Sequence, residues 1–245
     1  MRMAPVSIVA VALCSILLIP QFTLAQEQKD PNEVDPYVPS GAGIAIPDDG
    51  YDGTIASMAC MTTVVPDGTV AAINVDLGID HTWIGDLTVK VVPPGGTDAD
   101  ALTLMSRPDY AEVADDGTGC CGDSSNMIPS SAVNFEDANP TDAETMGTTI
   151  DGTMFVCQDD GECLFFPNPD TGPGTNLAQF IGQPAGGSWQ VCAGDSAAGD
   201  AGFLTSANVD VSLGVPTTNR VGLLLLLALL AGGSLLVLRR KATIG

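Results

Sequence analysis

The sequence predicts an all-β protein, an antiparallel sandwich or jelly roll. Three observations predict it. From Gly41 onward, short runs rich in Val, Thr and Ile alternate with Gly, Asp and Pro clusters roughly every 8–15 residues. Within the runs apolar side chains recur at every second position, as Ile73, Val75 and Leu77 do against Ala72, Asn74 and Asp76, the period of a half-buried strand. No amphipathic helix longer than two turns occurs between Gln26 and Gly214.

The strands are expected at Thr54–Met61, Thr69–Leu77, Leu87–Val92, Leu102–Met105, Thr153–Cys157, Ser188–Ala193 and Ala207–Leu213. In the third, Leu87, Val89 and Val91 repeat the alternation against Thr88 and Lys90, which gives it a core face and an outer face. Ser106–Ala132 and Asn139–Gly152 are dominated by Asp, Gly, Ser, Thr and Pro and read as long loops. Loops of that length are uncommon in a compact domain unless stapled, ligand-bound or functional.

The 245 residues carry a net charge of -22, from 8 basic and 30 acidic residues, and 24 of the acids are Asp. A nucleic-acid partner is excluded by that sign, since phosphates must be met by Lys and Arg. Disorder is disfavoured because 45% of the residues are hydrophobic. Mean hydropathy is nevertheless +0.26, and the two ends explain it. Residues 1–25 read as a secretory signal peptide, with Arg2 first, an apolar run from Val6 to Ile19, and small residues at Thr23 and Ala25 before cleavage ahead of Gln26. Val221–Leu238 is uncharged and, as a helix, about 27 Å long, enough to cross a bilayer. Arg239-Arg240-Lys241 follow, which leaves the C-terminus cytoplasmic and residues 26–220 outside. Between the ends, residues 26–214 hold all 30 acids and only Lys29, Lys90 and Arg107, a net of −27. Residues 26–40, with Pro31, Pro36 and Pro39, read as a polar linker, leaving residues 41–214 as the domain.

Residues 215–245, with Val215-Pro216-Thr217-Thr218 ahead of the apolar run and the basic cluster, resemble the PEP-CTERM and IPTL-CTERM classes of bacterial sorting signal. Val215 replaces the usual leading Ile and Thr218 the usual Leu. Two outcomes are open: a plain type I membrane anchor, or a processed signal that implies a sorting protease and a final address at the cell surface or in the extracellular matrix.

Once the signal peptide takes Cys14, six cysteines remain, at positions 60, 120, 121, 157, 163 and 192. An even number in an exported chain points to disulfides, with fifteen pairings open. Cys157 and Cys163 flank the turn sequence Asp159-Asp160-Gly161 and can close a small loop. Cys60 and Cys192 both fall in expected strands and can bridge neighbours, which leaves adjacent Cys120 and Cys121 either for each other, a rare strained pairing, or to displace one of those pairs. A thiolate metal site lacks the paired C-x-x-C spacing.

His81-Thr82-Trp83-Ile84-Gly85-Asp86-Leu87, with Ile46-Pro47-Asp48-Asp49-Gly50 upstream and the turn Pro93-Pro94-Gly95-Gly96 after it, resembles the P domain (P/Homo B) of proprotein convertases and bacterial exported proteins. Phe135-Glu136-Asp137, the Leu177–Gln183 segment, Gly187-Ser188-Trp189 and Asp195–Leu204 follow in the family's order. The resemblance implies a galactose-binding-like jelly roll and an association with serine-type endopeptidases and proteolysis. It also implies calcium in acidic turns, where Ca²⁺ gathers six to eight oxygens. The residues at those turns are Asp86, Asp123, Asp137, Asp195 and Asp200. Asp98, Asp100, Asp115 and Asp116 are assigned instead to a solvated acidic surface.

Catalysis is not expected. A Ser-His-Asp triad needs a histidine base, and the chain's one histidine, His81, already belongs to the turn, where it is expected to hydrogen-bond. Trp83 and Trp189 are expected to pack. The sequence therefore implies a noncatalytic binding, adhesion or partner-stabilising module with a polysaccharide, matrix or protein ligand. The alternative is an accessory subunit of a separately encoded subtilisin-like endopeptidase.

Overall fold

In a computed structural model, residues 37–214 are described except 120, 151 and 201. They are all-β, with no α-helix among them. The strands are β1 (Ile44–Ile46), β2 (Ala59–Val65), β3 (Val70–His81), β4 (Leu87–Val92), β5 (Leu102–Ser106), β6 (Val133–Phe135), β7 (Thr141–Asp142), β8 (Leu164–Phe166), β9 (Gly187–Asp195) and β10 (Gly202–Leu213). They form a six-stranded sheet ordered β1-β10-β3-β6-β8-β7 and a four-stranded sheet ordered β2-β9-β4-β5.

One core lies between the sheets. Val75, Leu77 and Ile79 of β3, Phe135 of β6 and Leu204 of β10 join Val89 and Val91 of β4 and Trp189 and Val191 of β9 in a single buried cluster. This is sandwich packing, in which inward side chains of two sheets interdigitate. Trp189 sits edge-on to Phe180 with ring centroids 5.1 Å apart, and its indole N–H donates to the Ala185 carbonyl at 2.9 Å. In β3 the expected alternation holds: Ile73, Val75 and Leu77 are buried while Ala72, Asn74 and Asp76 lie outward.

Several expectations are corrected. Residues 153–157 are not a strand. Asp159 and Asp160 accept from the Phe155 and Cys157 backbone N–H groups, and these local bonds limit the segment to a single parallel bridge, Phe155 to Asn126. At 54–61 the chain first makes a 3₁₀ turn, Ile55–Ser57, with β2 beginning only at Ala59. β8 pairs in parallel with both β6 and β7, so one edge of the larger sheet is not antiparallel. β1, β6, β7 and β8 are two or three residues long, too short to show a period. Thr88 and Lys90 do not face solvent: both are fully buried, and Asp115 of the loop that follows β5 closes over Lys90.

Two expected disulfides are present. Cys60 and Cys192 face each other in the β2–β9 register and are bonded, and Cys157 is bonded to Cys163. Cys121 is also disulfide-bonded. At the start of the domain, Tyr37 and Ser40, from the stretch expected as linker, donate to the buried Asp80 carboxylate. No helix among the described residues is long and apolar enough to cross a membrane. The signal peptide at 1–25 and the apolar segment at 221–238 lie outside the described residues.

Candidate functional site

Two turns meet at one end of the sandwich. The first leaves β3 at His81 and enters β4 at Leu87, and the second leaves β9 at Asp195 and enters β10 at Gly202. Ladder pairing fixes them side by side, His81 opposite Gly202 and Leu87 opposite Asp195. Gly202 is required by close approach, because a Cβ there would lie 2.0 Å from His81 Cδ2.

The turns are joined by side chains. His81 Nε2 lies 3.2 Å from Asp195 Oδ2, and both residues are fully buried. The Trp83 backbone N–H donates to His81 Nδ1 at 3.0 Å. Nδ1 therefore accepts, Nε2 carries the proton toward Asp195, and a neutral ring uses both nitrogens inside the fold. Thr82 Oγ1 donates to Asp200 Oδ1 at 2.7 Å, and the Ser196 backbone N–H donates to the Asp86 carbonyl at 3.0 Å.

The third side comes from the loop after β5, and the domain's two described cations pin it. Lys90 Nζ on β4 reaches Asp115 Oδ2 at 2.7 Å and the Gly53 carbonyl at 3.1 Å, with its ammonium 5.2 Å from the Tyr51 ring centroid. Arg107 pairs through Nε with Glu112 and donates from Nη1 to the carbonyls of Thr118 and Gly119 at 2.8 and 3.0 Å. The loop then presses on the first turn at Gly85, where a Cβ would stand 2.2 Å from the Gly122 carbonyl carbon.

These walls enclose an open pocket of about 660 Å³. Asp49, Trp83, Asp86, Gly117, Thr118, Gly119, Cys121, Ser196 and Asp200 line it, and among the described residues no basic one does. Burial, then the charges of Asp195 and Asp200, push Asp86 up to about 7. Burial also raises Asp195, opposed by the bond from His81.

The five aspartates expected to bind calcium do not assemble into one set. Asp86, Asp195 and Asp200 come to the meeting of the two turns. Asp123 turns inward and accepts from the Ser125 N–H at 2.8 Å, and burial pushes it up to about 6. Asp137 accepts from the N–H groups of Leu177 and Ala178, both at 2.8 Å, and so caps the 3₁₀ turn Leu177–Phe180. Among the described residues no three His, Cys, Asp or Glu side chains are placed to hold a metal ion.

Other residues escaped the sequence reading. Asp49 and Ser196 were visible inside motifs but carried no signal of facing a pocket. Asp115, assigned to the solvated surface, has a side chain only 12% exposed because it answers Lys90. A lone lysine within a run of strand residues in so acidic a chain was the available clue. Glu144 had no signal at all, yet burial pushes it up to about 9 while its carboxylate accepts from the Ser106 N–H.

No protein-family model matches the chain, and no curated protein matches it. Among solved structures it is similar to a serine protease of Aeromonas sobria, at 19% identity and a TM-score of 0.32, covering 70% of this chain and 22% of that one. It is likewise similar to a chain in the structure of the complex of the Aeromonas sobria serine protease with its chaperone, at 18% identity and a TM-score of 0.32, covering 72% of this chain and 23% of that one. The chain spans less than a quarter of the length of those proteins.

Proposed function

We propose that the chain is a noncatalytic exported binding module of the P-domain kind, a jelly roll that uses the loops at one end to hold or stabilise a partner. The state of His81 carries the reading. It is the chain's one histidine, buried, with Nδ1 occupied by the Trp83 N–H and Nε2 directed to Asp195. Ser196 Oγ makes no hydrogen bond to it or to any other group. A base whose lone pair is already engaged activates no nucleophile. The resembled family supplies a second reading, an accessory subunit of a subtilisin-like endopeptidase. In both readings the protein is exported and first held at the membrane by the 221–238 segment, facing outward, with a processed signal and a final address at the cell surface or matrix as the alternative.

The test uses the full chain, purified in neutral detergent. It is expected to leave casein intact and to retain a partner from the native envelope. Capture of a peptidase favours the accessory reading, and capture of polysaccharide or matrix favours adhesion. Casein hydrolysis abolished by a serine-protease inhibitor overturns both.

A further inference from the structure

The surface of the domain is one-signed. Lys90 and Arg107 are the basic residues among the described positions, and both are fully buried in ion pairs, while the neutral His81 is buried with its Nε2 directed to Asp195. No described cation is exposed to answer the carboxylates at the pocket.

At the pocket this imbalance takes a specific shape. Asp49, Asp86 and Asp200 share its lining with Trp83. Ser196 also lines it, 5% exposed, and its Oγ is buried without a hydrogen-bond partner. A buried hydroxyl left unpaired is uncommon in a folded protein and signals a missing partner. The pocket is also too large for an ion, being of the size that takes an organic group. Carboxylates beside an indole suit a guanidinium, which forms forked bonds to carboxylates and stacks on aromatic faces.

We propose that this pocket binds an arginine side chain presented by a partner protein, with Asp49, Asp86 and Asp200 meeting the charge, Trp83 the plane and Ser196 a guanidinium N–H. The inference rests on the binding-module reading and names the chemistry of its partner. The acidic exterior draws a basic partner in, and the pocket selects the group that docks.

The probe is Nα-acetyl-arginine amide, titrated into the full chain in neutral detergent. The indole N–H resonances are followed, and the one from Trp83 is identified by its loss in Trp83→Phe. A saturable shift of the Trp83 resonance in the millimolar range is expected. The uncharged citrulline amide should cause none, and Asp49→Asn/Asp200→Asn should weaken binding about tenfold. Asn tolerates the left-handed backbone at position 49 (φ 49°), and it keeps the oxygen that Thr82 bonds at position 200, so this variant is expected to fold. Equal response to citrulline amide, no response to either, or a response only to millimolar Ca²⁺ overturns the proposal. If envelope capture still succeeds in that case, the pocket assignment fails while the binding-module reading stands.

Discussion

Lys90 Nζ lies 2.7 Å from Asp115 Oδ2, joining the outer face of β4 to a loop 25 residues farther along the chain. The ammonium is buried, and the Tyr51 hydroxyl donates to the same carboxylate. Through this pair and the Arg107–Glu112 pair, a Gly- and Asp-rich loop becomes a fixed wall of the pocket.

Lys90→Met leaves the largely buried Asp115 without its counter-charge. It is expected to cost about 3–5 kcal/mol in denaturant unfolding and to speed amide exchange over residues 107–119. Adding Asp115→Leu should recover most of the loss, because an apolar pair avoids desolvating charges. Unchanged stability of the single variant would show that the ion pair does not hold the loop.

His81→Leu removes the acceptor for the Trp83 N–H and the donor to Asp195 in one step. Two buried polar groups lose their partners, and about 3 kcal/mol or more of stability should go with them. A thermal melt checks this. A histidine kept free for catalysis would give the opposite result, little or no change in melting temperature.

The two disulfides are expected to differ in weight. Cys60–Cys192 closes 132 residues and Cys157–Cys163 closes 6. Loop-closure entropy then assigns about 5 kcal/mol to the first and about 2 kcal/mol to the second. Paired Ser substitutions, each followed by urea unfolding, test the order. The Cys157–Cys163 variant should also lose exchange protection mainly around residues 155–163.

Stability should decline from mildly acidic to alkaline pH. Asp123, Asp86 and Glu144 are raised to about 6, 7 and 9, chiefly by burial, from ordinary values near 4. A carboxyl raised by folding contributes stability that is whole below its unfolded pKa and is lost as pH climbs through its folded pKa. Asp52, Asp100 and Asp116 run the other way. Hydrogen bonds from Thr54, Thr97 and Thr118 hold them low, so their contribution is lost only as pH falls below about 4. The melting temperature should therefore peak near pH 4–5 and be lower by about 4 °C or more at pH 9. A flat profile from pH 5 to 9 would mean that these carboxyls are not buried in solution.

The strands that could be read from the sequence are those whose own residues alternate over several positions, β3, β9 and β10 above all. The turns at 81–87 and 195–202 were legible through the motifs that resemble the P domain. β6, β7 and β8 were not, because two or three residues carry no period and such strands exist only through their neighbours. Residues 153–157 misled for the reverse reason: β-prone side chains lay where two downstream aspartates offer the backbone a local alternative.

Composition and local pattern fix what each residue prefers: an all-β chain, Asp-rich turns, paired cysteines, a strongly negative exterior. They do not say which distant groups meet. His81 and Asp195 stand 114 positions apart, and only the ladder that sets β3 beside β10 and β4 beside β9 brings them to 3.2 Å. The burial of Lys90 needed a loop to close over β4, and the separation of Asp123 and Asp137 from Asp86, Asp195 and Asp200 needed the turns to be placed. A side chain's charge is a property of its residue, but its partner is a property of the packed whole. The aspartates were therefore legible as turn formers, and only the fold decided which are caps, which pair with cations, and which line the pocket.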